Sequence, residues 1–285
     1  MNSRSLPGKI GLVLFLILAI FPIAFSIGYA AFYSLGLTGL LSDGFTWEHW
    51  SNVFSRREVW GSLLLSAYIS AFTVLLTVGA ALYISIRLRS HLSKGTLSYA
   101  IYLPLAIPAT VAAFLVFQLL SGAGFLSRIF MTLGLIDSIN QFPDLINDAA
   151  GFGIIAAHTG LAVPFFTILF YEIYTSEKID ALSQLAHTLG AESRSVLYRV
   201  TLPILIKKSM MNISLLFIIV MGSYEIPLLL GRQAPQMISV LTMRKYEMFD
   251  ISEKPEAFIA ALLYTGIVLV LLTLVFRRSG AKHAI

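Results

Sequence analysis

The chain has 285 residues, 57% hydrophobic and only 12% charged, with mean hydropathy +0.82 and formal net charge +5. A soluble domain carries about 25% charged residues, so the deficit makes lipid rather than water the main solvent. The absence of cysteine excludes a disulfide framework, thiolate metal sites and cysteine nucleophiles. The basic residues form short clusters beside apolar runs, not one folded patch, which sets nucleic acid aside as a partner.

The first apolar run, 10–32, follows Arg4 and Lys9. It is about twice the roughly 7–15 residues of a signal-peptide core, so it reads as an uncleaved first span. Five more runs of similar length follow, giving candidate spans at 10–32, 60–84, 97–120, 152–173, 209–230 and 258–276. Each is close to the ~20 residues a helix needs to cross hydrocarbon. A lone strand cannot satisfy its backbone in lipid, and a barrel would show shorter, alternating segments. The fold class expected is all-α: a polytopic membrane helix bundle of about six transmembrane helices, one domain over 1–285.

Lys and Arg set the orientation. With the N-terminus in the cytoplasm, 13 of the 20 fall on inner segments. The bias therefore places both termini inside.

The first outer loop, 36–59, holds or borders all three tryptophans, Trp47, Trp50 and Trp60. An interfacial aromatic anchor is the expected role, with substrate contact the rival. TWEHWSNVF predicts a short amphipathic helix on the membrane. In the third span, Pro104 and Pro108 predict a local break or kink. The second outer loop, 121–150, predicts another short amphipathic helix at FLSRIFMTLGLI, between turn-forming glycines. Asp137, Asp144 and Asp148 make its remainder acidic. In the fourth span His158, Thr159 and Pro164 interrupt the apolar run. No carboxylate or second histidine stands three or four residues from His158, so no metal centre is expected.

The segment 176–208 is the most polar inner stretch. Ile179, Leu182, Leu185, Ala186 and Leu189 recur at helical spacing, predicting an amphipathic helix over 178–189. Gly190 ends it. A second short helix is expected over 191–200, stopping near Leu202 because Pro203 disfavours helical geometry before it. Two short helices joined at a glycine make a compact knob, suited to a groove on a partner or to the headgroup layer.

The spacing within this stretch resembles the cytoplasmic coupling loop of importer-type ABC permeases, which runs E-A-A, three residues, G, nine residues, I-x-L-P. Here Gln184, Leu185 and Ala186 stand at the opening, so the acidic start is missing. Gly190 and Ala191 follow, and nine residues after Gly190 come Val200, Thr201, Leu202 and Pro203. The third span is similar to the same family's L-P-x-x-I-P-x-x-V-A segment. That second likeness points to the polyamine, iron, sulfate and thiamine branch. The resemblance implies a permease subunit of the type I importer fold in a bacterial-type cytoplasmic membrane. It implies a second permease, the same chain or a paralogue, two cytoplasmic ATPase subunits and an extracytoplasmic solute-binding protein. It assigns coupling to Gln184, Leu185, Ala186, Gly190, Ala191, Arg194, Leu202 and Pro203. No G-x-x-x-x-G-K-[ST] phosphate loop occurs in the chain. No cofactor is therefore expected on it, with ATP and Mg held by the partner ATPase.

An intramembrane carboxylate is a functional candidate by default, and Glu225 is the clearest one here. With Ser223 and Tyr224 it is a candidate for the translocation path, the rival being a hydrated position or a pair with Arg232. Gln118 and His158 are further path candidates. A carboxylate suits a cation, so a polyamine ranks first. Iron chelates, thiamine, sulfate and molybdate stay open. After Gly231 the charges balance, and a solvated or binding-protein-facing loop is expected. The alternatives are an ion-coupled secondary transporter, which needs several buried ionisable groups, and a membrane-embedded enzyme, for which no catalytic set can be assembled.

Overall fold

The computed structural model describes residues 6–39, 42, 44–89 and 99–280. The described residues form helices and connections with no strand. Among the described residues, six helical stretches are long and apolar enough to cross a membrane: Ile10–Ser34, Arg57–Arg87, Ala109–Thr132, Phe152–Ser176, Ser193–Met221 and Ile251–Arg277.

The chain divides into two compact units. The first comprises Met1–Trp60 and Leu241–Ile267. It opens with α1 (Leu6–Phe15) and α2 (Phe21–Ser34), joined by a π turn at Leu16–Ile20. Gly36 closes α2 in the left-handed region, where a Cβ would meet the Gly44 carbonyl at 2.8 Å. The short amphipathic helix expected from TWEHWSNVF is α3 (Glu48–Ser55). Val53 is buried on one face of it. Trp47, Trp50, Phe54 and Trp60 meet in sequence with centroid separations of 5.4, 5.9 and 6.0 Å, the first and last pairs stacked and the middle one tilted. Trp50 Nε1 donates to Ser34 Oγ, and Trp60 Nε1 to the Phe54 carbonyl.

The stretch after Gly231 differs most from expectation. It is folded, not simply solvated. Met237, Ile238, Val240 and Leu241 are buried, the last three in α12 (Ile238–Glu247). Further along, in the first unit, several of its charges are paired. Lys245 has a side chain only 4% exposed and bonds Glu253 and Glu256, the latter at 3.0 Å. Arg56 reaches the same two carboxylates at 3.1 and 2.9 Å, and Arg244 holds Glu58. Burial alone would push the Lys245 ammonium down. The hydrogen bonds and charges of Glu253 and Glu256 more than reverse this and hold it above its ordinary value. Glu253 and Glu256 lie at the entry to α13 (Lys254–Gly280).

The second unit comprises Gly61–Val240 and Val268–Ile285. Within it α4 (Arg57–Arg87) buries a stripe of small polar residues, Ser62, Ser66, Ser70, Thr73, Thr77 and Ser85. Small side chains let neighbouring backbones approach closely. Ser66 Oγ accepts from the Ile238 amide at 2.8 Å, one product of that approach. The third span begins later than the run 97–120, of which 97 and 98 lie outside the described residues. A 3₁₀ turn covers Leu103–Ala106, Ile107 is extended, and α5 begins only at Ala109 and ends at Leu120. Pro108 forces Ile107 out of helical geometry. Next come α6 (Phe125–Thr132) and α7 (Phe152–Ser176). Asp148 opens α7 by accepting from the Phe152 amide at 2.8 Å. Pro164 is accommodated inside α7, where the residue one turn earlier is Gly160.

The polar inner stretch forms α8 (Ile179–Thr188), α9 (Ser193–Val196), a π turn at Leu197–Thr201 and α10 (Leu202–Met221). The helix does not stop at Leu202. It runs unbroken from Ser193 to Met221. Proline ordinarily clashes with the carbonyl four residues back. Here the wide turn spaces the backbone, and the Leu202 amide bonds the Leu197 carbonyl five residues back. The same device precedes Pro22, where the Phe21 amide bonds Leu16. The span expected at 209–230 is also divided: α10 ends at Met221, and α11 (Glu225–Leu230) begins after a break at 222–224.

Two apolar cores hold this unit. Ile69, Ala113, Ile154, Ala157, Val220, Ile226 and Leu230 unite α4, α5, α7, α10 and α11. Ala81, Phe166, Phe170, Tyr174, Ile179 and Leu205 unite α4, α7, α8 and α10.

Candidate functional site: an exposed leucine knob and a broken helix

The knob is built from α8 upward. Ile179 is fully buried, with Ser183 and Ala186 half-buried on the same face one and two turns on. Leu182, Leu185 and Leu189 lie on a second face and are exposed, Leu189 by 82%. The apolar positions of the sequence therefore divide in two. One stripe roots the helix and the other is left exposed, without a partner among the described residues.

Gly190 ends α8 for a backbone reason. Its φ is +83°, and the Gly190 and Ala191 amides bond the His187 and Ala186 carbonyls, both at 2.9 Å. That crossed pair is the Schellman closure of a helix. His187 Nδ1 meets the Ala191 carbonyl at 2.8 Å. A Cβ at Gly190 would meet nothing within 4 Å, so its requirement is the dihedral and not space. Gln184 is exposed beside the leucines. Arg194 is exposed, its guanidinium 6.0 Å from the Tyr198 ring centroid. Leu202 is half-buried and Pro203 exposed, both in the continuous helix.

Four side-chain contacts at the root of the knob were not legible in the sequence. Arg89, two residues beyond α4, bonds Asp180 at 2.9 Å. The Tyr174 hydroxyl donates to the same Asp180 oxygen at 3.1 Å, and Arg89 stacks on the Tyr174 ring at 4.4 Å. Lys208 pairs with Glu177 at 2.8 Å. No spacing rule links Arg89 to Tyr174 and Asp180, or Lys208 to Glu177.

The second candidate element is the break at 222–224. The Ser223 carbonyl accepts from the Ser239 hydroxyl. Tyr224 is half-buried, and Glu225 is exposed in the first turn of α11. No ion pair joins Glu225 to Arg232 or to any other described residue. Gln118 is exposed on α5, and His158 is buried on α7 with Nε2 unpartnered among the described residues. Their helices pack on one another, but no hydrogen bond links the path candidates. Among the described residues no group of three or more His, Cys, Asp or Glu side chains could hold a metal.

No protein-family pattern matches the chain, and no curated protein matches it. Solved structures do share its fold. One is a bacterial ABC transporter involved in the import of the acidic polysaccharide alginate. It matches with TM-score 0.69 and 18% identity, over 97% of this chain and 93% of that one. Another is the bacterial alginate ABC transporter in complex with an alginate pentasaccharide-bound periplasmic protein. There the TM-score is 0.66 and the identity 17%, over 94% of this chain and 90% of the other. At these identities the likeness establishes the fold.

Proposed function

We propose that the protein is a membrane-spanning permease subunit of an ATP-driven, binding-protein-dependent importer of the ABC class. The observation that carries this is the leucine stripe of α8: Leu182, Leu185 and Leu189, exposed on a rigidly closed knob between two spans. An apolar helical face of this kind suits a groove on a partner. The fold shared with chains from an ABC importer supports the same reading. The Lys and Arg bias puts the knob and both termini in the cytoplasm, in a bacterial-type inner membrane.

In this reading a cytoplasmic ATPase pair carries the ATP and Mg. Gln184, Leu185, Ala186, Gly190, Ala191 and Arg194 form the docking element, with Leu202 and Pro203 at its return into the span. A second permease completes the pore, and a solute-binding protein delivers cargo outside. ATP binding draws the knobs together and the helices switch to an outward-facing state; hydrolysis resets them.

The cargo proposed is a small polar or cationic solute, with a polyamine first. The support is Glu225, an exposed carboxylate with no counter-ion among the described residues, flanked by Ser223 and Tyr224 at a helix break. An acidic saccharide, the cargo named for the structural neighbours, would set carboxylates against Glu225. Uptake of labelled spermidine against an alginate oligosaccharide separates the two.

The deciding experiment is purification of the solubilised chain from its native membranes, wild type beside Gly190→Glu. Co-purification of an ATPase with the wild type and its loss with the variant are expected. A chain that purifies alone and moves solute in ATP-free liposomes would overturn the proposal in favour of a secondary transporter.

A further inference from the structure

We infer that Arg89, Tyr174 and Asp180 form a clamp that makes the inner end of α4 move with the knob. The inference rests on the docking reading of α8. It adds the element to which displacement of the knob is passed.

The clamp is a closed three-membered ring. Asp180 Oδ1 accepts from Arg89 Nη1 at 2.9 Å and from the Tyr174 hydroxyl at 3.1 Å. Arg89 lies over the Tyr174 ring at 4.4 Å, closing the triangle. The members come from three places in the fold: just beyond the end of α4, the last turn of α7 and the first turn of α8. Directly beneath it Ile179, wholly buried, packs in the core formed with Ala81 of α4, Phe166 and Phe170 of α7, and Leu205 of α10.

The pairs themselves contribute little stability. Arg89 and Asp180 are 35% and 60% exposed, and exposed ion pairs are worth about 0–1 kcal/mol. Their effect is on register. A guanidinium fixed by a carboxylate and a ring face together has one orientation, where either contact alone allows several. Lys178, just before α8, sits at φ +51°, so the α7–α8 joint is a tight, strained turn. The apolar pin at Ile179 fixes where α8 is rooted. The polar ring fixes its bearing relative to α4.

The chain has no cysteine, so two introduced ones can be labelled cleanly. Thr188→Cys marks the far end of α8 and Tyr83→Cys the exposed face of α4. The distance distribution between nitroxides is read by pulsed electron paramagnetic resonance, first with the chain alone in nanodiscs. The parent should give a narrow distribution. Arg89→Gln and Asp180→Asn should each at least double its width, while thermal unfolding stays at the parental temperature. The exchanged pair Arg89→Asp with Asp180→Arg should narrow it again. Equal widths in parent and single variants would overturn the clamp. The second measurement is made on the complex co-purified from membranes, trapped with ATP and vanadate. The parental distance should hold, because knob and α4 move as one. It should shift in the single variants. A parental distance that itself shifts with nucleotide also overturns the inference. Absence of any co-purified ATPase defeats the docking proposal alone, and the nanodisc measurement still decides the clamp.

Discussion

Two ionic clusters in this chain pair bases with carboxylates to opposite ends. In the first unit Lys245 is nearly sealed, with Glu253 and Glu256 around it and Arg56 sharing both carboxylates. In the second unit Arg89 and Asp180 meet in the open, with Tyr174 as their buried backing. In the sealed cluster, loss of Lys245 leaves the buried Glu256 with Arg56 alone. In the open one, solvent replaces whichever partner leaves. One cluster is a fastening, and the other sets direction at almost no energetic cost.

Lys245→Met should give the largest effect. Removing one partner of a buried ion pair costs about 3–5 kcal/mol, read as a fall in thermal unfolding temperature in detergent. A parental melting curve would break the contrast. The same group gives a pH signature. Lys245 titrates above its ordinary 10.5 in the folded chain, so its stabilisation is complete below that pH and is lost as pH rises through the raised value. Alkaline unfolding should set in above pH 10.5 in the parent and lose this component in Lys245→Met.

Gly190→Val comes next. A β-branched residue at φ +83° costs about 1–3 kcal/mol, but only at an exposed helix end. Capture of the ATPase should fall severalfold while the global melting temperature moves little. Asp180→Asn should change stability by less than about 1 kcal/mol, in a urea titration beside Lys245→Met. A loss as large as that of Lys245→Met would mean the open cluster is also a fastening. Glu225→Gln should leave stability unchanged altogether, since no described residue pairs with it. Its readout is uptake of labelled spermidine, expected to drop at least tenfold.

The number of long helices was legible because apolar runs of membrane-spanning length have few other uses. The short helices at Glu48–Ser55 and Phe125–Thr132 were legible from their amphipathic pattern. So was the closure at Gly190, where glycine at the end of a helical period signals a left-handed residue. Prolines were read unevenly. Pro108 broke its span as the rule for the preceding residue demands, whereas Pro203 did not, because a π turn made room for it. Nothing local distinguishes the two. The balanced charges after Gly231 were read as solvated because sequence shows their sum and not their pairing. A signal was present: Met237, Ile238, Val240 and Leu241 stand immediately before Arg244 and Lys245, so the helix that brings the bases also brings a core. The Arg89–Tyr174–Asp180 ring left no signal, its members being joined only by the packing of three helices.

The π turn at Leu197–Thr201 also works as a phase setting. It fits one more residue into a turn than an α-helix holds, and each residue of an α-helix advances the chain by about 100°. A one-residue deletion there would barely alter the hydropathy profile of the span. It would nonetheless rotate everything on the far side of the turn, the Leu182, Leu185 and Leu189 stripe included, by more than a quarter of a circle about the α10 axis. The compass bearing at which the knob leaves its span is thus written in a count of residues, and Pro203, which needs the wide turn, guards that count.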